Sequence, residues 1–147
     1  MDKRLHPAVI TAARDAGHPI RMIRGAEITW AGSAPDAEAQ DAILSAATMG
    51  DRKDAVRAEC RRRIYAVASA ETQSNMAMAQ GQIAARSEAE RSAGDRDILS
   101  GIAAALAWVQ EMRAAYAALS ADPEADYRAD GVWPECPPEV QDVVGRF

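Results

Sequence analysis

Two histidines, two cysteines and one dense run of arginines are the side chains of this sequence whose types could do chemistry. His6 and His18 each stand directly before a proline, with no second ligand type at metal-binding spacing beside either. Both fit the start of a structural element better than a metal site. Cys60 and Cys136 lie far apart and form neither a metal-type spacing nor a redox pair. A nucleophilic thiolate needs a base beside it. Cys60 instead falls on an apolar helix stripe, where a small buried hydrophobe is expected. Reduced thiols are the expected state of both, with a disulfide formed after export as the alternative.

Arg57, Arg61, Arg62 and Arg63 are the one concentrated basic cluster. Their guanidinium forks match phosphate geometry, so a helical nucleic-acid or regulatory binding module is the alternative reading of this chain. On a helix, however, these four spread around more than half the circumference. Asp54 and Glu59 lie among them, and no aromatic platform for unpaired bases accompanies them. A solvated or acid-paired face is the favoured reading, with the acidic C-terminal segment as an obvious partner. A polar patch, Glu71-Thr72-Gln73-Ser74-Asn75, interrupts the apolar pattern downstream. It is either an exposed helix face or a buried polar step of the kind that fixes register in helical assemblies. Phosphate-binding loops, dinucleotide fingerprints, nucleophile elbows and histidine metal motifs are all missing from the sequence. No catalytic, metal-ligating or cofactor-binding residue is expected, and the chain is not expected to be an enzyme.

Helices have to position whatever these residues do. The opening, His6-Pro7 followed by Val9, Ile10, Ala12 and Ala13, predicts a short helix stopped at Gly17. Ile20-Arg21-Met22-Ile23 and Ala26-Glu27-Ile28-Thr29-Trp30, joined at Arg24-Gly25, predict a β-hairpin. Pro35-Asp36 predicts a helix over about 35–48, ended by Gly50-Asp51. From Asp54 onward, Val56, Cys60, Ile64 and Val67 recur at helical spacing, followed after the polar patch by Met76, Met78 and Ile83. A polar loop over 86–94 precedes a second long helix starting near Asp95 or Asp97. Ile98, Ile102, Ala105, Val109, Met112, Tyr116 and Leu119 alternate at the heptad spacing of a packed seam, widened by Leu99, Leu106 and Trp108. Asp122-Pro123 stops it. The rest is acidic and proline-rich, expected to be extended, to pack through Tyr127, Val132 and Trp133, and to end in a short helix carrying Val140, Val143 and Val144.

The predicted fold class is therefore mainly α, an antiparallel, bundle-forming helical hairpin with a small N-terminal β-hairpin and helix part and an extended Pro-rich tail. Three regions follow: residues 1–50 as a docking part, 51–122 as the hairpin and 123–147 as the tail. Composition fits. The 147 residues suffice for one modest domain. Alanine, about a quarter of the chain, favours helix but buries little area per side chain. A slim hairpin of this kind needs burial by a partner. The net charge of −5 argues against general nucleic-acid binding. The start, Met1-Asp2-Lys3-Arg4-Leu5, carries no apolar run, so no signal peptide or membrane partner is expected.

One resemblance adds to this. Cys60-Arg61-Arg62-Arg63-Ile64-Tyr65-Ala66-Val67-Ala68, with Thr72-Gln73-Ser74-Asn75-Met76, resembles a pattern in small phage and prophage proteins encoded near tail-fibre genes. The likeness continues through Ala107-Trp108-Val109-Gln110-Glu111-Met112-Arg113 and into Asp126-Tyr127-Arg128-Ala129-Asp130 and Trp133-Pro134. Ile28-Thr29-Trp30 followed by Pro35-Asp36-Ala37-Glu38-Ala39 looks like the strand-then-helix start of tail-fibre accessory proteins. The longer loop over 86–94 departs from that pattern. The resemblance implies a virion structural or assembly protein of the phage tail, fibre- or baseplate-associated and made in the host cytoplasm. It implies contacts with other tail proteins and a homo-oligomer, with a trimer favoured because tail fibres are usually trimers. No catalytic residue or cofactor is carried over. The interface candidates are Ile98, Ile102, Val109, Met112, Tyr116 and Trp133.

Overall fold

A Schellman stop, a two-residue turn and three side-chain caps divide the chain into its elements. The computed structural model describes residues 3–147, apart from the side chain of Arg4. It is mainly helical, 69% helix, with a small two-stranded antiparallel sheet. The helices are α1 (His6–Asp15), α2 (Ala37–Val67), α3 (Ala70–Ala84), α4 (Ala93–Ala121) and α5 (Pro138–Val144), and the strands are β1 (Ile20–Arg24) and β2 (Glu27–Trp30). Two compact units result. The first comprises Met1–Val56 with Ser120–Pro123, the second Arg57–Leu119 with Glu124–Phe147.

In the first unit α1 ends where glycine permits a left-handed turn. Gly17 has φ 81°, and the amides of Gly17 and His18 donate back to the carbonyls of Arg14 and Ala13. The hairpin turns through Gly25 at φ 60° and pairs Ile23 with Ile28 and Arg24 with Glu27. Because strand side chains alternate, Ile23, Ile28 and Trp30 pack toward the core while Met22 and Thr29 stay exposed. That core is Val9 and Ala13 of α1 against Ile43 and Ala47 of α2.

α2 corrects one expectation. The helix expected over 35–48 does begin at an Asp36 cap, whose carboxylate accepts from the Ala39 amide at 2.8 Å. It does not end at Gly50-Asp51 but continues to Val67. Glycine stops a helix where it takes the left-handed conformation, and Gly50 does not. In helical backbone it costs only about 1 kcal/mol relative to alanine. The buried Ala47 and Val56 on either side keep the stretch helical.

The polar patch resolves as an exposed helix face: it lies on α3 with Glu71, Gln73 and Ser74 open to solvent and none of its five residues buried. The helix breaks just ahead of it, at Ala68-Ser69, and Ser69 caps α3 by accepting from the Thr72 amide at 3.1 Å. Gln73 donates to the Ala68 carbonyl at 2.8 Å, giving a partner to the end of α2. The patch occupies the first turns of α3, just past the joint between the two helices. Downstream, α4 starts at Ala93, earlier than expected, because Ser92 and Asp95 satisfy each other's amides reciprocally at 3.1 and 2.9 Å. In the second unit Met76, Ile102 and Val143 bring α3, α4 and α5 together, flanked by Ile98, Ala105 and Val144. Gly101 allows the closeness of α5: a Cβ there would lie 2.6 Å from Val143 Cβ. In the tail, Trp133 is buried as expected, but Val132 is 39% exposed.

Candidate functional site

The arginine cluster of the second unit is split between two jobs. Arg62 and Arg63 turn to Glu59, one helical turn back on α2, at 2.7 and 2.8 Å. Arg63 goes further: it pairs with Asp130 at 2.9 Å, donates to the Arg128 carbonyl at 3.0 Å and lies over the Trp133 ring at 5.5 Å. Trp133 donates to the Tyr127 carbonyl at 2.7 Å, and Trp108 on α4 donates to the Pro134 carbonyl at 3.3 Å. These contacts fasten the Trp-Pro segment onto α2 and α4. Hydrogen bonding and charge from Arg62 and then Arg63 hold the Glu59 carboxyl below its ordinary range. The acid-paired reading thus holds for Arg62 and Arg63.

Arg57 and Arg61 face elsewhere. Arg57 lies 5.9 Å from the Tyr116 ring centre, with a guanidinium nitrogen 3.4 Å from the phenol oxygen, and Arg61 lies 5.1 Å over Tyr65. With Arg113 of α4 they border a cleft of about 370 Å³ whose floor is Cys60, Ile64 and Val109. A second cleft of about 260 Å³ adjoins it through Ile64, Gln73, Val109 and Arg113, which line both. Its walls are apolar: Met76, Ile102, Leu106, Val140 and Val144 among them. The two make one groove, cationic at one end and apolar at the other. Among the described residues no carboxylate lines either part.

The six interface candidates separate here. Ile102, Met112 and Trp133 are buried by the chain itself, Met112 to 1% exposure, so a second subunit finds nothing of them to cover. Within the chain Ile102 packs with Met76 of α3 and Val143 of α5. Ile98, Val109 and Tyr116 are half-buried, and the latter two line the groove. Leu106 is the residue the heptad pattern hid. Off the seam, it is 56% exposed at the apolar end of the groove. Its one signal was that it widened the stripe.

The remaining chemistry is sparse. Cys60 donates toward the Met112 carbonyl at 3.6 Å, and burial pushes its thiol up, against the pull of Arg113, so it is a poor thiolate. Cys136 is also a free thiol raised by burial. His6 begins α1 beside Pro7, and His18 meets Trp30 edge-on at 6.5 Å. Among the described residues no three His, Cys, Asp or Glu side chains are grouped to hold a metal ion, and no helix is long and apolar enough to cross a membrane. Compared with known families and curated proteins, the sequence matches no family model and no curated protein.

Proposed function

We propose that this chain is an assembly protein of a bacteriophage tail, associated with the tail fibre or baseplate and acting through protein–protein contacts rather than catalysis. The sequence resemblance supplies the setting. The observation that carries the mode of action is the groove of the second unit, where the largely exposed Leu106 shares the apolar end with Val109 and Arg113 while Arg61 and Tyr116 line the other end. Large apolar side chains held open beside rigid cations suit a binding surface better than a reaction centre.

In this reading the second part of α2 and the facing length of α4 form the antiparallel hairpin: Arg57 meets Tyr116, and Cys60 meets Met112. Among the described residues the largest fully enclosed side chains are Met112, Val9, Val56 and Val140, and the bulkier Trp108 and Trp133 keep a little exposure. Such a core leaves a thin margin of stability, and burial on assembly with like and unlike partners adds to it. A trimer is the expected stoichiometry, leaving the groove for a different tail protein.

Two measurements test this together. Peptide-mapping mass spectrometry of purified particles and of tail intermediates is expected to find the chain in at least one of them, and light scattering at micromolar concentration is expected to give a mass above the monomer. A stable monomer missing from both particles and intermediates refutes the proposal.

A further inference from the structure

We infer that the groove of the second unit takes an amphipathic helix from a partner protein, apolar along its length and acidic at the end that lies beside Tyr116. The inference rests on the protein-contact reading above and is independent of the phage setting.

Four observations converge on that occupant. The open part of the groove follows α4 from Ala105 to Tyr116, about 16 Å at the 1.5 Å rise per helical residue, the length of a three-turn helix. Its apolar end is walled by side chains of α3, α4 and α5, the kind of surface on which an amphipathic helix lays its apolar face. Leu106 provides the exposed edge of that wall. At the other end the exposed Arg61 and Arg113 both line the groove, on a chain whose net charge is −5.

Charge complementarity decides among occupants. Stacking of Arg61 on Tyr65 holds its guanidinium in place while leaving edge N–H donors for a carboxylate. A partner with glutamates at that end gains attraction on approach and in register. A nucleic acid is disfavoured: the cationic stretch is short, Arg62 and Arg63 are already committed to Glu59, and the groove continues into apolar walls that a phosphate backbone would not cover.

The test uses the full chain and fluorescence anisotropy with a labelled 14-residue helical peptide, leucine at every third or fourth position and three glutamates in its last turn. The expected result is saturable binding at micromolar concentration, weakened about tenfold when the glutamates become lysines. The double variant Arg61→Glu, Arg113→Glu, both exposed, is expected to lose the acidic peptide by a similar factor. It should also gain the lysine peptide, a swap that mere misfolding cannot produce. Leu106→Ser should weaken every peptide. Equal affinity for the acidic and lysine peptides, or no binding, overturns the inference. So does displacement of the peptide by a single-stranded oligonucleotide, or dissociation of an oligomer of this chain by Leu106→Ser. None of these removes the chain from phage particles, so failure here is distinguishable from failure of the assembly reading.

Discussion

Replacing glycine by alanine inside two helices of this protein should have opposite effects. At Gly50, within α2, an added Cβ meets nothing within 4 Å. The change there is the helix-propensity gain alone, about 0.5–1 kcal/mol of added stability. At Gly101, within α4, the same Cβ would sit 2.6 Å from Val143 Cβ and 3.1 Å from both of its methyls. Ordinary contact begins at 3.4 Å, so α5 has to move by most of an ångström. Overpacking of this kind costs about 1–3 kcal/mol, and the propensity gain offsets about 1 of it. A net loss of up to about 2 kcal/mol is expected. Val140 and Val143, buried to 1% and 3% exposure, are what α5 risks by moving. Because Val140 and Val144 also wall the groove, the consequence reaches function. Urea unfolding would read the stability difference, and hydrogen exchange would locate it. Gly101→Ala should lower protection in α5, and Gly50→Ala should raise it in the first part of α2. A gain in stability from Gly101→Ala, or an α5 whose protection is unchanged, would refute the packing argument.

Two further outcomes are expected. Trp133→Ala removes a buried indole, its hydrogen bond to the Tyr127 carbonyl and the ring under Arg63. A loss of about 3–5 kcal/mol is expected, with limited proteolysis opening residues 124–137 first. Stability should also fall in acid. The carboxyls of Glu59, Glu88, Glu90 and Asp95 are held below their ordinary values, Glu59 by Arg62 first, Glu88 by Arg96 first, and Glu90 and Asp95 by hydrogen bonds from the serines they help to cap. Groups depressed in the folded state stabilise it above the unfolded values, 4.5 for Glu and 3.8 for Asp. That contribution disappears as pH falls through the lower folded values. Urea midpoints should therefore stay level from pH 7 to about 5 and decline below about 4. Glu59→Gln should lower the neutral plateau and shallow the decline, and an unchanged profile would contradict the pairing of Glu59.

The parts of the fold whose signals are local were legible in the amino-acid order. Proline at the start of α1 and glycine after it, the alternation of Ile28 and Trp30 around Gly25, the stripe of α4 and the valines of α5 each act within a turn or two of chain. Short-range stereochemistry suffices there. It misled where a local signal had two meanings. Gly50 could end a helix or ride within one, and Ala47 and Val56, buried on either side, settled which. The polar residues after Ser69 could mark an exposed face or a buried step, and the packing of α3, which leaves Glu71, Gln73 and Ser74 in solvent, settled that. The groove was beyond any local pattern. Arg57, Arg113 and Val144 share no periodicity because three different helices supply them, and only packing brings them together. Packing also turned the regular seam of α4 inward onto its own chain and left Leu106, off the seam, open to solvent. A heptad tells which side chains want burial; which surface buries them is a property of the folded neighbours.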